Sequence, residues 1–243
     1  MNEAAGATRR SGCFVCCARW RDDVLCWMRE ERWREMRRDD SDRSTRIRLK
    51  RAYSPPDNED GVRVLVDRLW IRGVAKTDAR LDAWMAPLGP SAELRTWFGH
   101  QPDRWSEFVE KYQSELETPL RRLFLTALQG VAAQSTLTLV YGARDERENE
   151  AVVLRDLLER GGVNLADRWD APARVLALTA AVAAANGDAI ATRSGVRRFA
   201  SSILSEDEID NAFQTLAADG RLRDVSSGWS LTTKGRASAR QLE

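Results

Sequence analysis

The alternation of apolar and polar residues predicts three strands in the first two thirds of the chain. Residues 47–53, IRLKRAY, alternate in the way typical of a half-buried strand. Residues 62–69, VRVLVDRL, and residues 135–141, STLTLVY, are rich in Val, Leu and Thr, the composition of strands buried within a sheet. We therefore expect these three segments to form the sheet of one domain.

Apolar residues at helical spacing lie between and after these strands. They predict a helix that starts near Pro102 and runs to Leu116, a second around residues 120–128, and a third over residues 151–158 that ends at Gly161. Strands separated by helices are the pattern of a layered α/β protein. The predicted fold class is thus α/β, a three-layer domain with a largely parallel sheet, over residues 47–161.

A different pattern follows a predicted linker at residues 162–171. A helix opens at Pro172, a second helical segment spans residues 190–204, and a capping box at Ser205–Glu208 starts a third helix. Residues 221–232 predict a hairpin. Helices followed by a hairpin are the order of a winged helix, and LTTKGR at 231–236 resembles the end of the wing in MarR-like regulators. We predict a small α+β winged-helix domain at residues 172–243.

The first 46 residues show little regular pattern. They contain eleven arginines, nine acidic residues and three tryptophans. We predict that residues 1–46 are a disordered extension, or a leader translated from an upstream start codon. A basic arm for nucleic acid and an amphipathic anchor are the alternatives.

Net charge and hydropathy exclude several classes of partner. The formal charge is +1, so no global field attracts nucleic acid or an anionic membrane. The sequence has neither an apolar run of membrane-spanning length nor a secretory signal pattern. We expect a cytoplasmic protein without a membrane partner.

Cysteine usage argues against a metal centre. All four cysteines lie within the first 26 residues, where Cys13 and Cys16 have the spacing of zinc ligands. A structural zinc site needs a second pair of ligands, and His100 is the only histidine. The chain also lacks the glycine-rich motifs of nucleotide-binding and dinucleotide-binding proteins and the motifs of serine and zinc hydrolases. We predict no metal and no cofactor.

Candidate binding chemistry follows the second strand, in the segment VDRLWIRG at 66–73. Ligands of parallel α/β sheets bind beyond the carboxyl ends of the strands, where arginines suit a carboxylate or phosphate and tryptophan suits a flat ring. An alternative is structural: Asp67 pairs with an arginine at the sheet edge and Trp70 belongs to the core. The functional interpretation predicts a small anionic ligand and these contacts: Arg68, Trp70, Arg72, Lys76, Arg95 and Tyr141.

Residues 47–160 resemble the YeaO-like family, a bacterial family of domains of unknown function. The resemblance runs colinearly through IRLKRAYSPPDNEDGVRVLVDRLWIRG, through the region around Trp84, Arg95 and His100, and through LTLVYGARDERENEAVVLRDLL. One departure is Ile71, where the family usually has proline before Arg-Gly. The resemblance implies an α/β fold and supplies no reaction.

Two functions stay open at this stage. In the favoured hypothesis the α/β domain binds the ligand and the winged helix is the output module of a ligand-responsive regulator, with a homodimer as a candidate state. In the alternative, an enzyme acts on an anionic metabolite or nucleotide-like substrate, Asp67 or His100 moves a proton, and the winged helix is a protein-interaction or targeting module.

DNA and protein are equally weighted as partners of the predicted winged helix. Residues 205–220 contain five acidic residues and no basic one, which opposes contact with phosphates. The candidate nucleic-acid contacts therefore lie on either side of this helix: Arg193, Arg197, Arg198, Arg223, Lys234 and Arg236.

Overall fold

The computed structural model describes residues 46–161, 169–187 and 190–242. Except for Arg46, the predicted N-terminal extension lies outside these ranges, and so do all four cysteines. Residues 162–168 of the predicted linker also lie outside. The sequence predictions for these two segments therefore stay predictions.

The first part of the described chain alternates strands and helices. Short 3-10 helices lie at Asn58–Asp60, Ala86–Leu88 and Pro102–Arg104. In chain order the strands and α-helices are β1 (Ile47–Arg51), β2 (Val62–Leu65), α1 (Lys76–Ala79), β3 (Ala83–Trp84), α2 (Ala92–Phe98), α3 (Trp105–Glu115), α4 (Pro119–Gln134), β4 (Leu137–Tyr141) and α5 (Glu150–Arg160).

The strands form a four-stranded sheet in the order β1-β4-β2-β3, and all neighbouring pairs are parallel. The predicted α/β class with a parallel sheet is confirmed. Because every strand points the same way, the four carboxyl ends meet at one side of the sheet, which we call the carboxyl edge. Strand β4 is the last in sequence but lies between β1 and β2, so its end is central in this edge.

Two details of the sheet differ from the prediction. Strand β2 ends at Leu65, four residues early: the amide of Val66 makes a last bond to β4, to Val140 O (3.1 Å), and residues 67–76 then leave the sheet. Strand β3 was not predicted, since two residues are too short to show an alternating pattern.

The helix starts follow from capping side chains. The hydroxyl of Ser91 accepts from Leu94 N at the start of α2, and the amide oxygen of Asn149 accepts from Ala151 N and Val152 N at the start of α5. Both satisfy backbone donors that lack a partner within the helix.

The C-terminal part consists of helices around one hairpin. Its elements are α6 (Ala171–Ala185), α7 (Arg193–Ala200), α8 (Glu206–Ala218), β5 (Leu222–Val225), β6 (Gly228–Leu231) and α9 (Thr233–Arg240). Strands β5 and β6 are antiparallel, and Ala191, between α6 and α7, pairs with Trp229 on β6. The capping box of Ser205 and Glu208 is confirmed.

One hydrophobic core extends through both parts of the described chain. The same cluster of buried side chains includes Leu128 on α4, Leu139 on β4, Val182 on α6 and Phe213 on α8. Residues 45–243 accordingly form one contact unit. Among the helices that the structure describes, none combines the length and apolar character needed to cross a membrane.

Candidate functional site

Asp67 joins the ends of three strands at the carboxyl edge. Its carboxylate accepts from the amide of Gly142, which follows β4, at 2.6 Å. Its backbone carbonyl accepts from the indole nitrogen of Trp84 on β3, at 2.8 Å. Asp67 thus fixes the end of β2 to β4 and β3 through a backbone amide and an indole, whereas the structural alternative from the sequence paired it with an arginine.

A second acid, Glu150, completes a buried carboxyl pair with Asp67. Glu150 is the first residue of α5 and only 8% exposed. Burial, reinforced by the negative charge of Asp67, raises the pKa of Glu150 to about 8. Burial also raises the pKa of Asp67, although the hydrogen bonds from Gly142 and Glu150 and the charge of Arg95 oppose the rise. At neutral pH the pair therefore shares one proton, which the neutral Glu150 donates to the Asp67 carboxylate.

Arg95 on α2 supplies the positive charge beside this pair. Its guanidinium favours the ionised forms of both Asp67 and Glu150. Within the described part of the chain, the Nε atom of Arg95 and the Oε1 atom of Glu150 are buried and have no hydrogen-bond partner. The sequence singled out Arg95 and missed Glu150, because an acid in the first turn of a helix is common and usually exposed.

Residues 67–76, here called the edge segment, cross the carboxyl edge from β2 towards β1. Ile71 packs over the end of β4, where a side-chain carbon added to Gly142 would lie 2.6 Å from Ile71 Cδ1. Farther along, the carbonyl of Arg72 accepts from the hydroxyl of Tyr53, beyond β1, at 3.4 Å. Ile71 is buried and anchors the segment by packing, at the position where the family usually has proline.

The edge segment exposes side chains suited to binding. Arg68 and Arg72 are exposed, Leu69 is 61% exposed, and Tyr53, whose hydroxyl donates to Arg72 O, is 54% exposed. Arg144, after β4, is exposed as well. In residues 46–161, 169–187 and 190–242 these three arginines form no ion pair. We call this group the edge surface: Tyr53, Arg68, Leu69, Arg72 and Arg144.

Three predicted ligand contacts have other partners. The ring of Tyr141 is 3% exposed and belongs to the core. The indole nitrogen of Trp70 donates to Val74 O at 2.8 Å, and the ammonium of Lys76 donates to Ala184 O on α6 at 2.9 Å. These three side chains stabilise the protein around the edge segment and do not belong to the edge surface.

His100, the second candidate for proton transfer, lies after α2. It is exposed, has a positive φ of 54°, and its ring packs edge-on against Phe98 with 5.6 Å between ring centroids. Asp145, after β4, has its pKa lowered chiefly by hydrogen bonds from the amides of Arg147 and Glu148, with a smaller contribution from the charge of His100.

Most candidate nucleic-acid contacts are engaged within the protein. Arg193 pairs with Asp224, and Arg197 pairs with both Glu206 and Asp210 on α8. Both arginines therefore already have acidic partners at the protein surface.

Two further candidates contact other parts of the chain. Arg198 pairs with Asp82, just before β3, and so connects α7 to the α/β part. Lys234 donates to Asp219 O at 2.7 Å. Arg223 and Arg236 are exposed.

A shallow groove of about 740 Å³ lies in the C-terminal part, lined by residues 192–194 and 224–227. It contains the Arg193–Asp224 pair and several hydroxyl groups. None of the residues that line it belongs to the carboxyl edge.

The parallel sheet and the helices that surround it define an α/β protein. The family model described as "Inactive DUF488-N3 subclade" matches residues 46–171, just over half of the chain, and the chain belongs to this family. YeaO of Escherichia coli K12 is 42% identical over 115 residues, which are 46% of this chain and 96% of YeaO. An uncharacterized protein of Mycobacterium tuberculosis H37Rv is 41% identical over 116 residues, 48% of this chain and 96% of that protein. No solved structure matches the chain.

Proposed function

We propose that this protein binds a small organic anion on the edge surface and is a ligand-responsive regulator. One observation carries the proposal: three exposed arginines without ion pairs in the described part of the chain lie at the carboxyl edge, beside exposed Tyr53 and Leu69. Carboxyl edges of parallel sheets are the usual binding sites of α/β proteins.

The chemistry of the edge surface selects the ligand class. A guanidinium bonds two oxygens of a phosphate or carboxylate at once, and Arg68 and Arg72 are available for this on one short segment. The exposed Tyr53 ring and the Leu69 side chain favour a ligand that also has an aromatic or apolar part. An aromatic phosphate or carboxylate satisfies both requirements.

Binding is favoured over catalysis. The Asp67 carboxylate already accepts bonds from Gly142 and Glu150, so it is engaged in holding the edge together. The description of the family as inactive also supports a binding role. The enzyme alternative predicts turnover that Asp67→Asn abolishes, whereas we expect an aromatic phosphate to be recovered unchanged.

We also propose that the chain consists of a YeaO-like domain, residues 47–161, and a winged-helix domain, residues 172–243. The winged helix is proposed to contact another protein. The order of α6, α7, α8 and the hairpin supports this, together with the Ala191–Trp229 bridge, which has the place of the short first strand in winged helices. The internal ion pairs of Arg193, Arg197 and Arg198 favour a protein partner over DNA.

The binding proposal is tested by calorimetric titration of the full chain with phenyl phosphate, with inorganic phosphate and phenol for comparison. We expect phenyl phosphate to bind more tightly than either fragment. Arg68→Ala and Arg72→Ala should each weaken binding about tenfold, since a charge-assisted hydrogen bond contributes about 1.5 kcal/mol or more.

Arg223→Ala is the matched control, because it removes an exposed arginine far along the chain from the edge surface. The control should leave the affinity unchanged. Equal affinities in wild type, Arg68→Ala and Arg72→Ala would contradict the proposal, and so would the absence of phenyl phosphate binding.

A further inference from the structure

Lys76 contacts both the α/β part and the C-terminal part of the protein. It ends the edge segment and begins α1. Its ammonium donates to the carbonyl of Ala184 at 2.9 Å, in the last turn of α6. Carbonyls in a last turn lack partners within the helix and carry the negative end of the helix dipole, so a cation is stabilising there.

The ammonium of Lys76 also contacts the rings of two tryptophans, Trp70 and Trp84. The Nζ atom lies 5.1 Å from the ring centroid of Trp70 and 5.6 Å from that of Trp84. The two rings contact each other edge to face, with centroids 5.4 Å apart. These are cation–π distances, and they fix the Lys76 side chain in one position.

Both rings are bonded to the elements that form the site. The indole nitrogen of Trp84 donates to Asp67 O, where the edge segment begins, and that of Trp70 donates to Val74 O, near its end. A second cluster of buried side chains, distinct from the main core, contains Ile71 of the edge segment together with Ala185 of α6. Continuous contacts therefore join the segment that carries Arg68 and Arg72 to the end of α6.

We propose that Lys76 is a positioning residue that couples the edge segment to α6, so that a ligand on the edge surface and the conformation of the C-terminal part influence each other. The ligand half of this inference rests on the proposed function. Coupling between two sites is reciprocal in free energy, so breaking the contact at Lys76 must affect both sides.

The test compares wild type, Lys76→Met and Lys76→Arg as full-length proteins. Methionine keeps an apolar stem and loses the cation, while arginine keeps a cation that can reach the rings and a carbonyl. Hydrogen exchange is measured over residues 67–75 and 180–187, with residues 206–218 of α8 as the internal control.

Lys76→Met should speed exchange in both regions about fivefold, because local opening loses a cation–π contact and a hydrogen bond, and leave α8 unchanged. Lys76→Arg should restore slow exchange. A change confined to one region, equal changes in α8, or no change at all would overturn the coupling, whether or not any ligand binds.

A second arm adds phenyl phosphate. In wild type the probe should slow exchange in both regions, and in Lys76→Met it should slow residues 67–75 alone while binding about fivefold more weakly. Slower exchange in residues 180–187 of Lys76→Met would overturn the role of Lys76. Failure of the probe to bind wild type would instead contradict the proposed function, and the first arm would still decide the coupling.

Discussion

At the scale of residues, the shared proton of Asp67 and Glu150 makes the stability of the protein depend on pH. The pKa of Glu150 is about 8 in the folded protein and near its ordinary value of 4.5 when unfolded. The folded state therefore holds a proton that the unfolded state has lost. Stability from this group is complete below pH 4.5 and declines as the pH rises to about 8.

Glu150→Gln should remove this decline. Glutamine is neutral at every pH and can still donate to Asp67. Between pH 6 and 8 the free energy of unfolding of wild type should fall relative to that of Glu150→Gln by roughly 1 kcal/mol per pH unit, and the fall should level off above pH 8. Denaturant unfolding at several pH values measures the difference.

Glu208→Gln is the matched control for this prediction. The pKa of Glu208 is lowered by hydrogen bonds from Ser205, so this exposed acid does not titrate between pH 6 and 8. Its free energy of unfolding should run parallel to that of wild type. If the free energy of unfolding of Glu150→Gln also changes with pH in parallel with that of wild type, Asp67 and Glu150 share no proton.

Residue type and position in the sequence predicted only part of the site. Arg68 and Arg72 are exposed, and their role in binding an anion stays a prediction. Lys76 was grouped with them because it follows the same motif, yet its partner Ala184 is 108 residues away, a distance that a local pattern cannot reveal. The sequence did not single out Glu150 for a related reason: its burial depends on how α5 packs over the sheet.

At the scale of elements, close packing of α4 against the end of α7 connects the two parts of the described chain. A side-chain carbon added to Gly130 on α4 would lie 1.9 Å from the Cβ atom of Ser202, just after α7. Only glycine permits this approach. Periodicity predicted both helices, but this contact joins residues far apart in the chain and has no signal in the local sequence.

Gly130→Ala should therefore destabilise the protein. Overpacking costs about 1–3 kcal/mol, partly offset by the better helix propensity of alanine, so a net loss of about 1 kcal/mol is expected. Ser202→Gly in the same chain should restore most of the loss by removing the opposing side chain. Denaturant midpoints of the two single variants and the double variant measure this, and purely additive effects would contradict the contact.

At the scale of the whole molecule, internal ion pairs of the C-terminal part are the basis for proposing a protein partner in preference to DNA. Arg197 faces two acids on α8, and Arg198 is bonded to Asp82. We therefore expect the C-terminal part to contribute little to binding of random-sequence duplex DNA and to its salt dependence, because Arg193, Arg197 and Arg198 already have acidic partners.

Freeing a cation should change this behaviour. In the double variant Glu206→Gln, Asp210→Asn, Arg197 loses both ionic partners, and salt-dependent binding of DNA should appear or strengthen. Fluorescence anisotropy across a salt series measures both proteins. Tight, steeply salt-dependent binding by wild type, weakened by Arg197→Ala, would make DNA the partner of the C-terminal part.

We propose that the carboxyl edge is the ligand site of this protein. The most direct measurement is a titration of the isotope-labelled full chain with phenyl phosphate, followed by the backbone amide signals. We predict that shifts concentrate at Tyr53, residues 68–73 and Arg144, and extend to residues 184–187. Shifts confined to the groove at residues 192–194 and 224–227, with the carboxyl edge unchanged, would contradict the account.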